Sequence, residues 1–184
     1  LKAEELQNII GEYDAVVVRS AAKITKDIIA KGDKLKVIGR AGIGVDNVDV
    51  AAATEKGIVV MNTPQGNALA AAEHTIGLMF AAARKIGLGD RTMKQGKWEK
   101  KALMGIEIYG KTLGIVGIGN IGAIVAEKAL ALGMRVVAYD IFISKEFAES
   151  KGIELVDFDT LLKESDFISV HVPLVKETRN LINK

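Results

Sequence analysis

The sequence predicts an α/β protein built on parallel sheets. Three observations carry this reading. Short β-branched runs alternate with amphipathic helical stretches along the 184 residues. A glycine-rich run, Gly117-Ile-Gly119-Asn-Ile-Gly122, sits between a strand pattern and a helix pattern. An acidic residue, Asp140, closes the strand pattern that follows.

The elements follow in order. Leu1 to Ile10 has apolar residues on one helix face. Asp14 to Val18 is a β-branched strand, and Thr25 precedes a helix over 26–31 that it is placed to cap, with Gly32 as its stop. Leu35 to Ile38 is the next strand. It leads into the turn-rich run Gly39-Arg-Ala-Gly-Ile-Gly44. A helix over 48–56 ends at Gly57, and Ile58 to Met61 is a third strand. This order predicts a parallel sheet with helices on its faces. Residues 64–67 are turn-forming and mark a hinge, so residues 1–63 and 64–184 are expected to be separate domains. An Ala-rich helix spans 68–86. A second series follows: strand 112–117, helix 121–132, strand 135–139, helices 145–151 and 159–164, and strand 167–172, stopped by Pro173.

Composition narrows the chemistry. Lys+Arg is 25 and Asp+Glu is 23, and this balance argues against a general nucleic-acid binder. With no cysteine and two histidines, thiolate chemistry is excluded and a multi-histidine metal centre is not expected. No apolar run approaches the ~20 residues that span a bilayer, and there is no secretory signal, so the expected location is cytoplasmic. The chain opens on Leu1 within a helical pattern, which suggests a fragment.

The strand–turn–helix–strand–acid order around Gly117 is the Rossmann-type fingerprint for a dinucleotide. Gly117 permits the tight turn. Gly119 lets backbone approach a pyrophosphate, and Gly122 lets helix and strand pack closely. The helix N-terminus offers N–H groups to the phosphates. Asp140 suits the adenosine ribose hydroxyls and repels a 2′-phosphate, so NAD is expected over NADP. The alternative is a glycine-rich turn with a surface aspartate.

Other residues are less specific. Arg19 and Arg40 end parallel strands, where ligands of open α/β sheets collect, and the backbone N–H groups of 41–44 can form an anion-binding nest. The pair suits a small, multiply anionic substrate. It equally suits two exposed arginines that end strands. Residues 84–101 carry seven basic residues against two acidic ones and the single tryptophan, Trp98. That run reads as a solvated helix face, in which Trp98 suits an interface anchor. His74 is expected to be packed or capping. His171 is expected to position rather than act as a base, because no acid is evident to orient it.

The segments Val18-Arg-Ser-Ala-Ala-Lys-Ile-Thr25, Gly39 to Asp49, Val60 to Asn67, Gly96-Lys-Trp-Glu-Lys100, Gly117 to Gly122, Tyr139-Asp140 and His171-Val-Pro-Leu174 occur in this order. Together they resemble the D-isomer-specific 2-hydroxyacid dehydrogenases. Within that family they are most similar to the branch that oxidises 3-phospho-D-glycerate to 3-phosphooxypyruvate with NAD in serine biosynthesis.

The resemblance implies a flavodoxin-like substrate domain, present in part, and a Rossmann-type NAD domain. It implies substrate contacts at Arg19, Ser20, Arg40, Ala41, Gly42 and Ile43; the family often has a hydroxyl residue in place of Ile43. It implies cofactor contacts at Gly117, Gly119, Asn120, Ile121, Gly122, Asp140, Ile141, His171, Val172 and Pro173. A homodimer or homotetramer with Trp98 near the interface is implied too. The family's catalytic arginine, acid and histidine match positions beyond Lys184, so this chain is expected to bind NAD without turnover. The alternatives are another D-2-hydroxyacid substrate (glycerate, glyoxylate or lactate) or a non-catalytic NAD-sensing module like the corepressors that share this fold.

Overall fold

The computed structural model describes residues 3–183, so Leu1, at the start of the predicted first helix, lies outside the described residues. The chain divides into two compact units, residues 1–68 and 69–184.

In the first unit, α1 (Ala3–Ile9) precedes β1 (Ala15–Val18), α2 (Lys26–Lys31), β2 (Val37–Arg40), α3 (Val50–Glu55) and β3 (Val59–Asn62). The strands pair in parallel in the order β1-β2-β3, with Val18 opposite Arg40 and Arg40 opposite Asn62. Strand β2 begins two residues later than the sequence pattern suggests. Leu35 is instead a buried core residue before the strand, and the ladder extends through Gly39 to Arg40. Ile10 and Ile28, Ile29, Ala52 and Ala53 of α2 and α3 bury one face of the sheet against Val18 and Ile38. The helices cover this face only: Val17, Val59 and Met61, on the other face, are exposed.

The caps are partly as expected. Thr25 is the N-cap of α2 but makes no side-chain capping bond. The Asp49 side chain does cap α3, accepting the Ala52 N–H at 2.9 Å. The C-terminal carbonyls of α2 are met by Lys56, whose ammonium donates to the carbonyls of Ile29, Ala30 and Gly32 at 2.9, 2.8 and 3.2 Å. A cation there is favoured by the helix dipole as well as by the bonds.

The second unit contains the rest of α4 (Ala68–Ala83), then α5 (Ile86–Lys94), β4 (Thr112–Val116), α6 (Asn120–Ala131), β5 (Arg135–Tyr139), α7 (Lys145–Ser150), β6 (Glu154–Leu155), α8 (Phe158–Glu164) and β7 (Phe167–Val170). The helix expected over 68–86 starts as expected but ends three residues early, at Ala83. Lys85 adopts a left-handed conformation, φ 53°, between it and α5, which an α-helix cannot continue through. Strand β6 is two residues long, too short to leave a pattern. Strand β7 stops at Val170, so His171 and Val172 lie beyond it.

The sheet is parallel with order β6-β5-β4-β7. All five residues of β4 are buried. Ile115 and Val136 pack with Val125, Ala126 and Ala129 of α6 on one face, and Val116 and Val137 pack with Leu161 of α8 on the other. Both faces are therefore covered, as a parallel sheet requires. Ser144 and Asp157 cap α7 and α8 through the N–H groups of Phe147 and Thr160. Among the described residues no helix is long and apolar enough to cross a membrane, and no group of three or more His, Asp or Glu is arranged to hold a metal ion.

Candidate functional site

The chain builds the second sheet outward from β4 through β5 to β6, then returns to place β7 on the opposite side of β4. Ligands of open parallel sheets bind at such a switch point, outside the carboxyl ends of the strands. The glycine-rich turn lies there, directly after Val116.

Each glycine has a separate steric reason. Gly117 has φ +94°, and a Cβ on it would lie 2.7 Å from Val172 Cγ1 and 3.0 Å from the His171 carbonyl oxygen. A Cβ on Gly122 would collide with the Gly117 carbonyl. Gly119, the N-cap of α6, has no atom within 4 Å of its would-be Cβ. The turn is therefore closed beneath Gly122 and open above Gly119. The open side adjoins the helix N-terminus, where amides without intrahelical partners and the helix dipole favour phosphate. Asn120 and Ile121 form the first turn of α6. This cradle fits a dinucleotide diphosphate.

Asp140 follows β5. Its carboxylate accepts the Ile118 N–H at 2.7 Å through one oxygen, and the Phe142 and Ile143 N–H groups at 2.7 and 3.3 Å through the other. The sequence reading assigned this carboxylate to ribose alone. In the structure it also ties the glycine turn to the segment after β5. Of its roughly four acceptor sites, three are used, leaving room for a further hydroxyl.

Beside Asp140 lies a mostly apolar cleft of about 250 Å³. Asp140, Ile141, Val172 and Pro173 line it, as does Tyr139 of the Tyr139-Asp140 motif, together with Phe142, Val175 and Leu181, which sequence reasoning did not single out. Those in 174–183 carry no helical or strand period, so only the path of the chain reveals them. His171 is elsewhere: with Ser169 it lines a groove between α4 and β7. Its backbone N–H donates to the Val116 carbonyl at 2.8 Å, and its ring Nε2 lies 2.8 Å from the Ser169 hydroxyl. Burial holds its pKa below the ordinary 6.5.

The first unit holds a polar cleft of about 440 Å³ at the carboxyl ends of its strands. Arg19, Ser20, Arg40, Ala41 and Gly42 line it, together with Thr63, Gly66 and Asn67. Arg19 and Ser20 belong to the loop after β1. That loop is held by Asn47, whose side-chain amide donates to the carbonyls of Arg19 and Ala22 at 2.8 and 2.6 Å. Sequence reasoning missed Asn47. Its only signal is a buried amide among turn residues.

Three expectations change here. The Ala41 and Gly42 N–H groups do not form a free nest: they donate to the Val18 and Arg40 carbonyls, both at 2.9 Å. Ile43 does not line the cleft. It is half-buried, and its carbonyl accepts the Asn62 side-chain amide at 2.7 Å. His74 is neither packed nor capping but exposed on α4, because its helix position faces away from the core residues Ala72 and Met79. Trp98 is 78% exposed.

Residues 76–184 match the family described as D-isomer specific 2-hydroxyacid dehydrogenase, NAD binding domain. The whole chain is 55% identical to D-3-phosphoglycerate dehydrogenase of Archaeoglobus fulgidus, of which it covers 35%. It is also 55% identical to hydroxypyruvate reductase of Thermotoga maritima, of which it covers 59%. The chain thus spans about a third to three-fifths of these curated relatives. A D-lactate dehydrogenase from Aquifex aeolicus, solved with NAD and lactic acid, superposes with a TM-score of 0.86 at 34% identity, over 96% of this chain and 53% of that one. The parallel sheet with its glycine turn and the match over 76–184 agree: this chain belongs to the D-isomer-specific 2-hydroxyacid dehydrogenases and carries sequence of their NAD-binding domain.

Proposed function

We propose that the protein to which these residues belong oxidises 3-phospho-D-glycerate to 3-phosphooxypyruvate with NAD, the first step of serine biosynthesis, in the cytoplasm. Residues 1–63 act as part of the substrate domain and residues 64–184 as part of the NAD domain. The observation that carries the substrate class is that two arginines, Arg19 and Arg40, line one polar cleft. One guanidinium suffices for a lone carboxylate; two suit an acid that also carries a phosphate.

Gly117, Gly119, Asn120, Ile121 and Gly122 take the cofactor's diphosphate, and Asp140 its ribose. Ile141, Val172 and Pro173 wall the adenosine, and His171 braces the turn from behind. Bound NAD supplies the hydride acceptor. Oxidation also requires a base for the hydroxyl proton, and the family's base matches a position beyond Lys184. The 184 residues by themselves bind NAD without turning over. The exposed Trp98 and its lysines face a second copy of the chain in a homodimer or homotetramer.

Calorimetric titration tests the cofactor half: NAD binds, and NADP binds more weakly. Absence of heat with NAD overturns it. For the substrate, Arg19→Ala in the complete enzyme raises KM far more for 3-phospho-D-glycerate than for unphosphorylated D-glycerate. Equal losses favour a second reading, reduction of unphosphorylated hydroxypyruvate, which the identity to a hydroxypyruvate reductase supports.

A further inference from the structure

Arg40 and Gly42 close on one another twice. The backbone of the pair forms a tight turn, with the Gly42 N–H donating to the Arg40 carbonyl at 2.9 Å. The side chain of the same arginine then folds back over the same glycine. A Cβ on Gly42 would collide with Nη1 of the guanidinium and would lie 2.6 Å from Cζ and 3.2 Å from Nε. Nε itself is buried and makes no hydrogen bond among the described residues. Arg40 is therefore lowered onto the loop, with no acidic partner among the described residues to hold it there. What admits it is the missing side chain of Gly42. The Gly42 carbonyl, in turn, accepts the Thr63 N–H at 3.0 Å, which anchors the seat to the segment after β3.

We propose that Gly42 is a positioning residue for the anionic substrate: its bare Cα is the seat of the Arg40 guanidinium, and any side chain there lifts Arg40 out of the pose in which it lines the cleft. This rests on the reading of that cleft as the substrate site. It replaces the simpler idea that Gly42 offers its own N–H to the substrate, since that N–H is already bonded. The three atoms nearest to a Cβ at position 42 all belong to one long, flexible side chain. Gly42→Ala is therefore expected to fold, with the arginine rather than the backbone giving way.

The test uses the full chain, 15N-labelled, with the Arg40 Nε–H resonance identified by its loss in Arg40→Lys. In the unsubstituted chain this proton exchanges with water more slowly than that of exposed Arg19. Equal exchange rates overturn the proposal without any variant at position 42. In Gly42→Ala the Arg40 signal moves to the position and exchange rate of exposed arginines, while the melting temperature holds. Affinity for 3-phospho-D-glycerate falls roughly tenfold or more, the scale of one charge-assisted hydrogen bond. Introduced into Arg40→Lys, the same alanine costs much less, because the group it displaces has gone. An unmoved Arg40 signal, or an equal loss in both backgrounds, overturns the proposal. If the unsubstituted chain binds no phosphorylated acid yet the Arg40 signal still responds to Gly42→Ala, the substrate reading fails and the seat stands.

Discussion

The Asp140 carboxylate accepts the Ile118 backbone N–H at 2.7 Å, joining the strand that follows the first dinucleotide helix to the turn that precedes that helix. A residue proposed to hold a sugar is thus also a strut of the glycine turn. With its other oxygen it holds the Phe142 and Ile143 amides. Changing the cofactor preference at this position therefore also disturbs the turn.

Asp140→Ala removes the acceptor for three amides, with water able to replace only part of it. Unfolding in urea is expected to show a loss of about 1–3 kcal/mol before any cofactor is added. NAD affinity falls as well, and NADP affinity does not rise to replace it. Unchanged free-chain stability would show that the strut is dispensable.

Gly119 and Gly122 separate binding from folding. Gly122→Ala drives a Cβ into the Gly117 carbonyl, which is backbone and cannot swing aside. A stability loss of about 1–3 kcal/mol is expected, with NAD binding lost too. Gly119→Ala meets nothing in the free chain, and its φ of −79° is open to any residue. Its melting temperature stays near that of the unsubstituted chain while NAD binding weakens. Urea melts and calorimetry on the two variants read both quantities.

Lys56→Met keeps the length of the side chain but leaves the carbonyls of Ile29, Ala30 and Gly32 without their cation. The end of α2 loses a cap and a favourable charge, a cost of about 1–2 kcal/mol by denaturant unfolding. NAD binding is unaffected, because Lys56 belongs to the first unit.

His171 gives a pH dependence of known sign. Burial lowers its folded pKa below the ordinary 6.5. The unfolded chain therefore binds more protons in the window between the folded value and 6.5, and stability falls as pH drops through that window. Above pH 7 its contribution is intact. His171→Asn, which does not titrate, flattens this part of the stability profile between pH 7 and 5. NMR titration of the imidazole gives the folded pKa directly; a value at or above 6.5 refutes the effect.

Local pattern carried the elements whose identity is set by neighbours in the chain. The range 26–31 for α2 and 135–139 for β5 read correctly because period and stop signals lie within a few residues. The turn between β4 and α6 was legible for the same reason: its three glycines lie in one short run between a strand pattern and a helix pattern. Pattern ran the Ala-rich helix three residues too far, to 86 instead of Ala83, because nothing in the local composition marks the left-handed Lys85 that follows it. It missed β6, whose two residues are a strand only because β5 lies beside them.

The chain's alternation, its glycine turn and its arginines at strand ends were thus decided by residue order, since short-range sterics and hydrogen bonding need no distant partner. Folding decided the rest. It bound Asp140 to the turn, fastened the Arg19 loop through Asn47 and set the His171 side chain in a groove apart from the cleft beside Asp140. Each of these depends on residues distant in the chain rather than on the local pattern. Which backbone amide or bare Cα lies within reach of a side chain is known only once the strands have paired.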